Sequence, residues 1–175
     1  MSETTVLAFD PSSTCTGWAA GVIHGKDVWP EHGGLLKPPA KADSKMKRIE
    51  WMVRSVFDLV TKFKPANVVI EIPGGKQHGS IKGRASGLTI YGMAAGAIWC
   101  AVFMHPHKCV LEAAETTWTT GQGSKTTRAQ RALMLWPPYK DIKDSGNDLS
   151  DAICLLDWYG RRLWRESLTT LYDRR

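Results

Sequence analysis

Apolar side chains come first in short runs split by turn formers and then, from residue 43 onward, at helical spacing. The run "VLAF" predicts a buried strand over 4–9, and "TGWAAGVI" a second over 16–23, with Pro11, Ser12, Ser13 and Thr14 turning the chain between them. A third strand is expected over 27–36, between Gly25-Lys26-Asp27 and Pro38-Pro39, which makes an antiparallel meander. In "DSKMKRIEWMVRSVFDLVTKFKP", Met46, Ile49, Met52, Val53, Val56, Phe57, Val60 and Phe63 form one stripe of an amphipathic helix closed by Pro65. "NVVIEI" is too continuously apolar for an edge strand. A polar loop "GGKQHGSIKGR" leads to an apolar helix over 84–104, and "CVLEAAE" from 109 reads as another strand. A helix opened by Ser124, a linker "PPYKDIKDSGN" and a last helix over 147–164 complete the chain. This order predicts a single α/β domain over 1–175 with a mixed sheet.

Two of the buried strands end in the wrong kind of residue. Asp10 stands where "VLAF" would continue with an apolar side chain, and Glu71 closes "NVVIEI" before Pro73-Gly74-Gly75. The last helix opens with "NDLSDAICLL", which puts Asp148 and Asp151 three apart on one face. Each has an ordinary explanation: an Asx-turn for Asp10, a salt-bridged strand end for Glu71, and the positive helix terminus for the other two. Considered together they read differently. If the first and fourth strands are neighbours, both ends open into one crevice, and a helix start packed across it would gather all four. Two carboxylates about 4 Å apart repel by roughly 4 kcal/mol at an effective dielectric of 20, so such a cluster must be protonated or hold cations. Oxygen ligands without His or Cys suit Mg²⁺ or Mn²⁺, and a two-ion site would polarise a phosphodiester and generate a hydroxide nucleophile.

Charge points the same way. Lys and Arg number 23 against 17 Asp and Glu, a formal +6, which favours a polyanionic partner such as nucleic acid. The 175 residues, 43% of them hydrophobic, suffice for one core and not for two ordinary domains. Cys15, Cys100, Cys109 and Cys154 are scattered without CxxC spacing, which excludes a recognisable zinc or redox motif and fits a reduced cytosolic chain. The start "MSETTVLAFDP" has no secretory pattern. Residues 88–104 are uncharged, yet they fall short of the roughly 20 residues that span a bilayer.

"AFDPSSTCTGWA", "VVIEIP" and "DLSDAICLL" together, in this order and spacing, resemble the RuvC family of Holliday junction resolvases in the RNase H-like superfamily. The likeness spans nearly the whole chain. It implies an RNase H-like fold with a mixed five-stranded sheet flanked by helices, and a Mg²⁺-dependent endonuclease that cuts four-way DNA junctions by paired nicking to leave 5′-phosphates. By the same resemblance Asp10 would bridge two metal ions, Glu71 and Asp151 would hold one each or help activate water, and Asp148 would be the fourth ligand. Lys125 falls where relatives place a functional lysine, at a helix start suited to a phosphate. A homodimer around the helix at 84–104 is implied, as is a cytoplasmic chain of bacterial or phage origin; a branch-migration partner is compatible with it.

Two departures stand out. Ser12 replaces the family's usual Gly, and the loop after Glu71 lacks the aromatic that bacterial resolvases carry there. Its Lys76, Gln77, His78, Lys82 and Arg84 are candidate phosphate contacts, the alternative being a solvated loop. Arg128 and Arg131 are expected to extend a basic, DNA-facing surface, while Lys41, Lys45, Lys47 and Arg48 fit the solvated side of the first helix.

Overall fold

The computed structural model describes residues 4–12, 14–25, 27–72, 81–105 and 109–172, with the backbone alone given for 81–90, 109 and 167–172. Five strands, β1 (Thr4–Asp10), β2 (Thr16–His24), β3 (Asp27–Leu36), β4 (Asn67–Ile72) and β5 (Cys109–Ala114), form one sheet in the order β3-β2-β1-β4-β5. The first three pair antiparallel as a meander, and β4 and β5 join parallel to β1. The predicted mixed sheet is therefore the one observed.

β1 and β4 are buried on both faces, which is why neither alternates with polar residues. Their alternate side chains divide between two cores. Leu7, Phe9, Val68 and Ile70 pack against helices α1 (Lys45–Phe63) and α2 (Ile81–Phe103). Val6, Ala8 and Val69 pack on the other side, against the C-terminal helix α5 (Asp148–Tyr172). Each fully buried large apolar side chain contributes about 1.5–3 kcal/mol, so two cores fix the sheet between its layers firmly. The same period-2 count carries Asp10, in step with Val6 and Ala8, and Glu71, in step with Val69, toward α5. Since Phe9 lies opposite Ile70 in a parallel pair, both acids leave the sheet at the same end.

α1 starts at an N-cap, Ser44, whose hydroxyl accepts from the Lys47 amide, and it ends at left-handed Lys64 just before Pro65. Between β5 and α5 lie the short α3 (Glu115–Trp118), α4 (Lys125–Leu135) and a 3₁₀ turn over Pro137–Asp141. Sequence periodicity missed α3 and the 3₁₀ turn, each shorter than two helical turns. α2 begins at Ile81 and α5 runs to Tyr172, longer than expected at those ends. Among the described residues no helix is long and apolar enough to cross a membrane.

Candidate active site

At the C-terminal end of β1 and β4 a cleft of about 250 Å³ is lined by Asp10, Glu71, Asp148, Asp151, Lys125 and Arg128, together with Tyr91 and Trp118. α5 brings its first turn here because the backbone permits it. Gly17, paired with Asp10 across the hairpin, has the Asp148 carbonyl and the Leu149 amide so close that any Cβ would overlap them. The helix start is braced from below: Asp144 Oδ2 accepts from the Ser150 amide (3.0 Å) and from the Tyr139 hydroxyl (3.1 Å). This carboxylate caps the helix from outside while Asn147, at φ 65°, turns the chain into it.

The β1–β2 turn is pinned by Thr16, fully buried, whose hydroxyl donates to the Ser12 carbonyl (2.8 Å) and accepts from the Ser12 amide (3.0 Å). Ser12 does not take a positive φ, so the position has no backbone need for glycine. The departure at Ser12 is thus accommodated locally.

Three of the carboxylates are buried: Asp10 is 9% exposed, Glu71 7% and Asp151 5%. Glu71 accepts from Trp118 Nε1 (2.8 Å) on one oxygen and from the Tyr91 hydroxyl (3.2 Å) on the other. Asp151 is gripped by Arg128, Nε to Oδ1 at 2.6 Å and Nη2 to Oδ2 at 3.1 Å. Among the described residues Asp10 accepts no such bond. Burial, then the charges of Glu71, Asp151 and Asp148, push its pKa well above the usual carboxylate range, and Lys125 counteracts this. Glu71 is raised to about 7, first by burial and next by the charge of Glu115, against its two hydrogen bonds. Asp148 is raised by burial in spite of a hydrogen bond from Cys15. The same burial, and Asp148 itself, push the Cys15 thiol up to about 12.

The basic residues fall out differently from expectation. Lys125 is exposed at the rim, with Nζ 3.3 Å from the Gly146 carbonyl, on a helix capped by Ser124. Arg128, expected on an open basic face, is instead 7% exposed and turned inward onto Asp151. Arg131 likewise pairs with buried Asp157. Position explains both: α4 packs along α5, so arginines one turn apart meet the aspartates of that helix rather than solvent. Lys76, Gln77 and His78 lie outside the described residues. Lys82 and Arg84 belong to the first turn of α2 rather than to a loop, and their side chains lie outside the described set.

Tyr91, Trp118 and Asp144 are the members that sequence reasoning missed. Their only signal is polar: an indole, a phenol or an acid needs a partner once buried, and nothing in the spacing says which.

Among the described residues no three acidic, His or Cys side chains already converge as a finished ion site. The donor chemistry nonetheless fits a hard divalent cation, because Asp10 is buried, has no donor among the described residues and is surrounded by like charge.

No protein-family model matches the chain, and no curated protein matches it either. Solved structures do. RuvC of T. thermophilus, in complex with a Holliday junction substrate, superposes with a TM-score of 0.68 at 19% identity, covering 91% of this chain and 96% of that one. The chain has a RuvC-like fold. Ydc2, the yeast mitochondrial Holliday junction resolvase, matches at a TM-score of 0.61 and 11% identity, over 96% of this chain and 83% of its own. The fowlpox virus Holliday junction resolvase reaches 0.50 at 14% identity, over 90% and 99%. The RuvC-like fold thus covers nearly all of the chain at low sequence identity.

Proposed function

We propose that this chain is a divalent-metal-dependent, structure-selective DNA endonuclease that resolves four-way junctions by paired nicking. The observation that carries the reading is the convergence of Asp10, Glu71, Asp148 and Asp151 from two strand ends and one helix start into a single cleft. The resemblance to junction resolvases in three ordered sequence motifs supports it, and the shared fold supports it again.

Asp10, Glu71, Asp148 and Asp151 would hold the divalent ions. When bound, Mg²⁺ or Mn²⁺ would lower the pKa of an attacking water and stabilise the charge of the leaving 3′ oxygen, giving a 5′-phosphate. The chain's own groups orient the reaction. Trp118 and Tyr91 fix both oxygens of Glu71, Arg128 fixes those of Asp151, and Lys125 offers an ammonium to the phosphate backbone at the rim. Lys76, Gln77, His78, Lys82 and Arg84 are proposed as further backbone contacts.

Paired nicking requires two copies. Gly92, Cys100 and Phe103 are exposed on α2, and a Cβ at Gly92 or Gly96 would meet nothing within 4 Å. This outward face suits a twofold homodimer, in which a second copy of α2 approaches closely. The reading implies a cytoplasmic enzyme of recombination or repair.

Cleavage of synthetic four-way junctions, flaps, duplex and RNA–DNA hybrids with Mg²⁺ or Mn²⁺, with Asp10→Asn as control, tests the proposal. Symmetric nicking of junctions is expected; metal-dependent binding or metal-free binding without any cutting overturns catalysis. Equal cutting of flaps would favour a second reading, a same-fold nuclease of broader range, which the aromatic-free loop after Glu71 supports.

A further inference from the structure

The sequence placed Arg128 on the outside, where it would touch DNA; its actual environment suggests a different task. All three guanidinium nitrogens are engaged. Nε and Nη2 donate to the two oxygens of Asp151, and Nη1 donates to the Gly123 carbonyl at 3.1 Å. The guanidinium carbon lies 5.5 Å from the centre of the Trp118 ring, within cation–π range, and Trp118 is fully buried. Trp118 in turn donates to Glu71 at 2.8 Å. A buried relay therefore runs from Glu71 through Trp118 and Arg128 to Asp151, joining β4 to α5 by way of α3 and α4. Arginine does not lose its proton in proteins, so this is a permanent positive charge inside the carboxylate cluster.

Asp10, Glu71, Glu115, Asp148 and Asp151 amount to five negative charges when ionised, and Arg128 together with Lys125 at the rim leaves three of them unbalanced. One divalent ion then brings the cluster close to neutrality, and a second would make it cationic before any phosphate arrives. The half of the site with the fewest donors, Asp10 with none among the described residues and Asp148 with only the Cys15 thiol, is where that first charge is needed. We propose that Arg128 is a resident cation standing in the electrostatic place of one divalent ion, so that the free protein binds a single ion tightly, on the Asp10 side. This rests on the reading of the cluster as a cation site and departs from two ions bound from the outset. Arg128 acts as a positioning residue, working through Asp151.

Mn²⁺ titration of the DNA-free protein, followed by the electron paramagnetic resonance of unbound Mn²⁺, counts the ions directly. The wild type is expected to bind one per chain. Arg128→Gln, which removes the charge, is expected to bind two, and Arg128→Lys, which keeps it, to return to one. Two tight ions in the wild type, or one in a folded Arg128→Gln, would overturn the proposal. Asp148→Asn provides an independent test that does not depend on Arg128→Gln folding. Its single-ion affinity should fall by about tenfold or more, while an affinity within about threefold of wild type would refute the placement of that ion on the Asp10 side. Failure of the wild type to bind any Mn²⁺ would instead defeat the cation-site reading as a whole, independently of the cleavage assay.

Discussion

Four carboxylates of the cleft, Asp10, Glu71, Asp148 and Asp151, are held in two different ways. Glu71 and Asp151 have every oxygen engaged by a donor from the protein, two from aromatic side chains and two from a guanidinium. Asp10 has no donor among the described residues, and Asp148 has only the Cys15 thiol, a weak one. Desolvation without donors raises a carboxylate, as it does at Asp10, whereas hydrogen bonds oppose the same rise at Glu71. One half of the site is satisfied by the protein's own donors; at the other, a proton or a bound cation would relieve the repulsion.

The comparison can be broken most severely at its open half. Asp10→Asn should abolish junction cleavage by roughly a thousandfold, the order seen when a group stabilising transition-state charge is removed. The same variant should raise the melting temperature of the metal-free protein, because a buried like charge disappears. A fall in both cleavage and metal-free stability would mean that Asp10 is held by attraction rather than endured under repulsion.

Gly17→Ala attacks the seam between the halves. Its methyl would overlap the Asp148 carbonyl, so the start of α5 must back away from β1. A loss of about 1–3 kcal/mol in urea denaturation is expected, with weaker Mn²⁺ binding. Trp118→Phe tests the braced half more gently: it keeps the buried ring and deletes the N–H that serves Glu71. About 1–2 kcal/mol of stability should be lost, with cleavage reduced but measurable.

The most gradual effect is a pH dependence of unusual sign. Glu71 titrates near 7 in the fold against 4.5 for an unperturbed side chain, so between these values the native state binds more protons than the unfolded one. Metal-free stability should therefore rise as pH falls from about 7 toward 4.5, the reverse of a salt-bridged acid. Thermal melts across that range, with and without Mg²⁺, check it, since saturating Mg²⁺ should flatten the slope.

Much of this was legible in the sequence because it depends on period and punctuation. The unbroken "VLAF" and "VVI" runs announce strands covered on both faces, and the acids that end them are conspicuous for that reason. Pro65 and Ser124 mark helix ends through local chemistry that needs no tertiary partner. Arg128 was misread because outward basic residues and inward ion pairs look alike until the packing of α4 against α5 is known. Trp118 and Tyr91 were silent for the same reason: each meets Glu71 only across the fold, and neither sits in a motif.

The near-contact between Gly17 and the Asp148 carbonyl also sets the order in which the cleft can come into being. The β1–β2 hairpin forms from neighbours in the chain, whereas α5 must return from the far side of β4, α2 and β5 to close the seam. Contacts of such long sequence separation form late. During synthesis, a chain that has completed its first four strands displays only Asp10 and Glu71, an acidic edge with no partner helix. The four-carboxylate cleft is therefore assembled only after the fold is committed, and a chain truncated before α5 would lack Asp148 and Asp151.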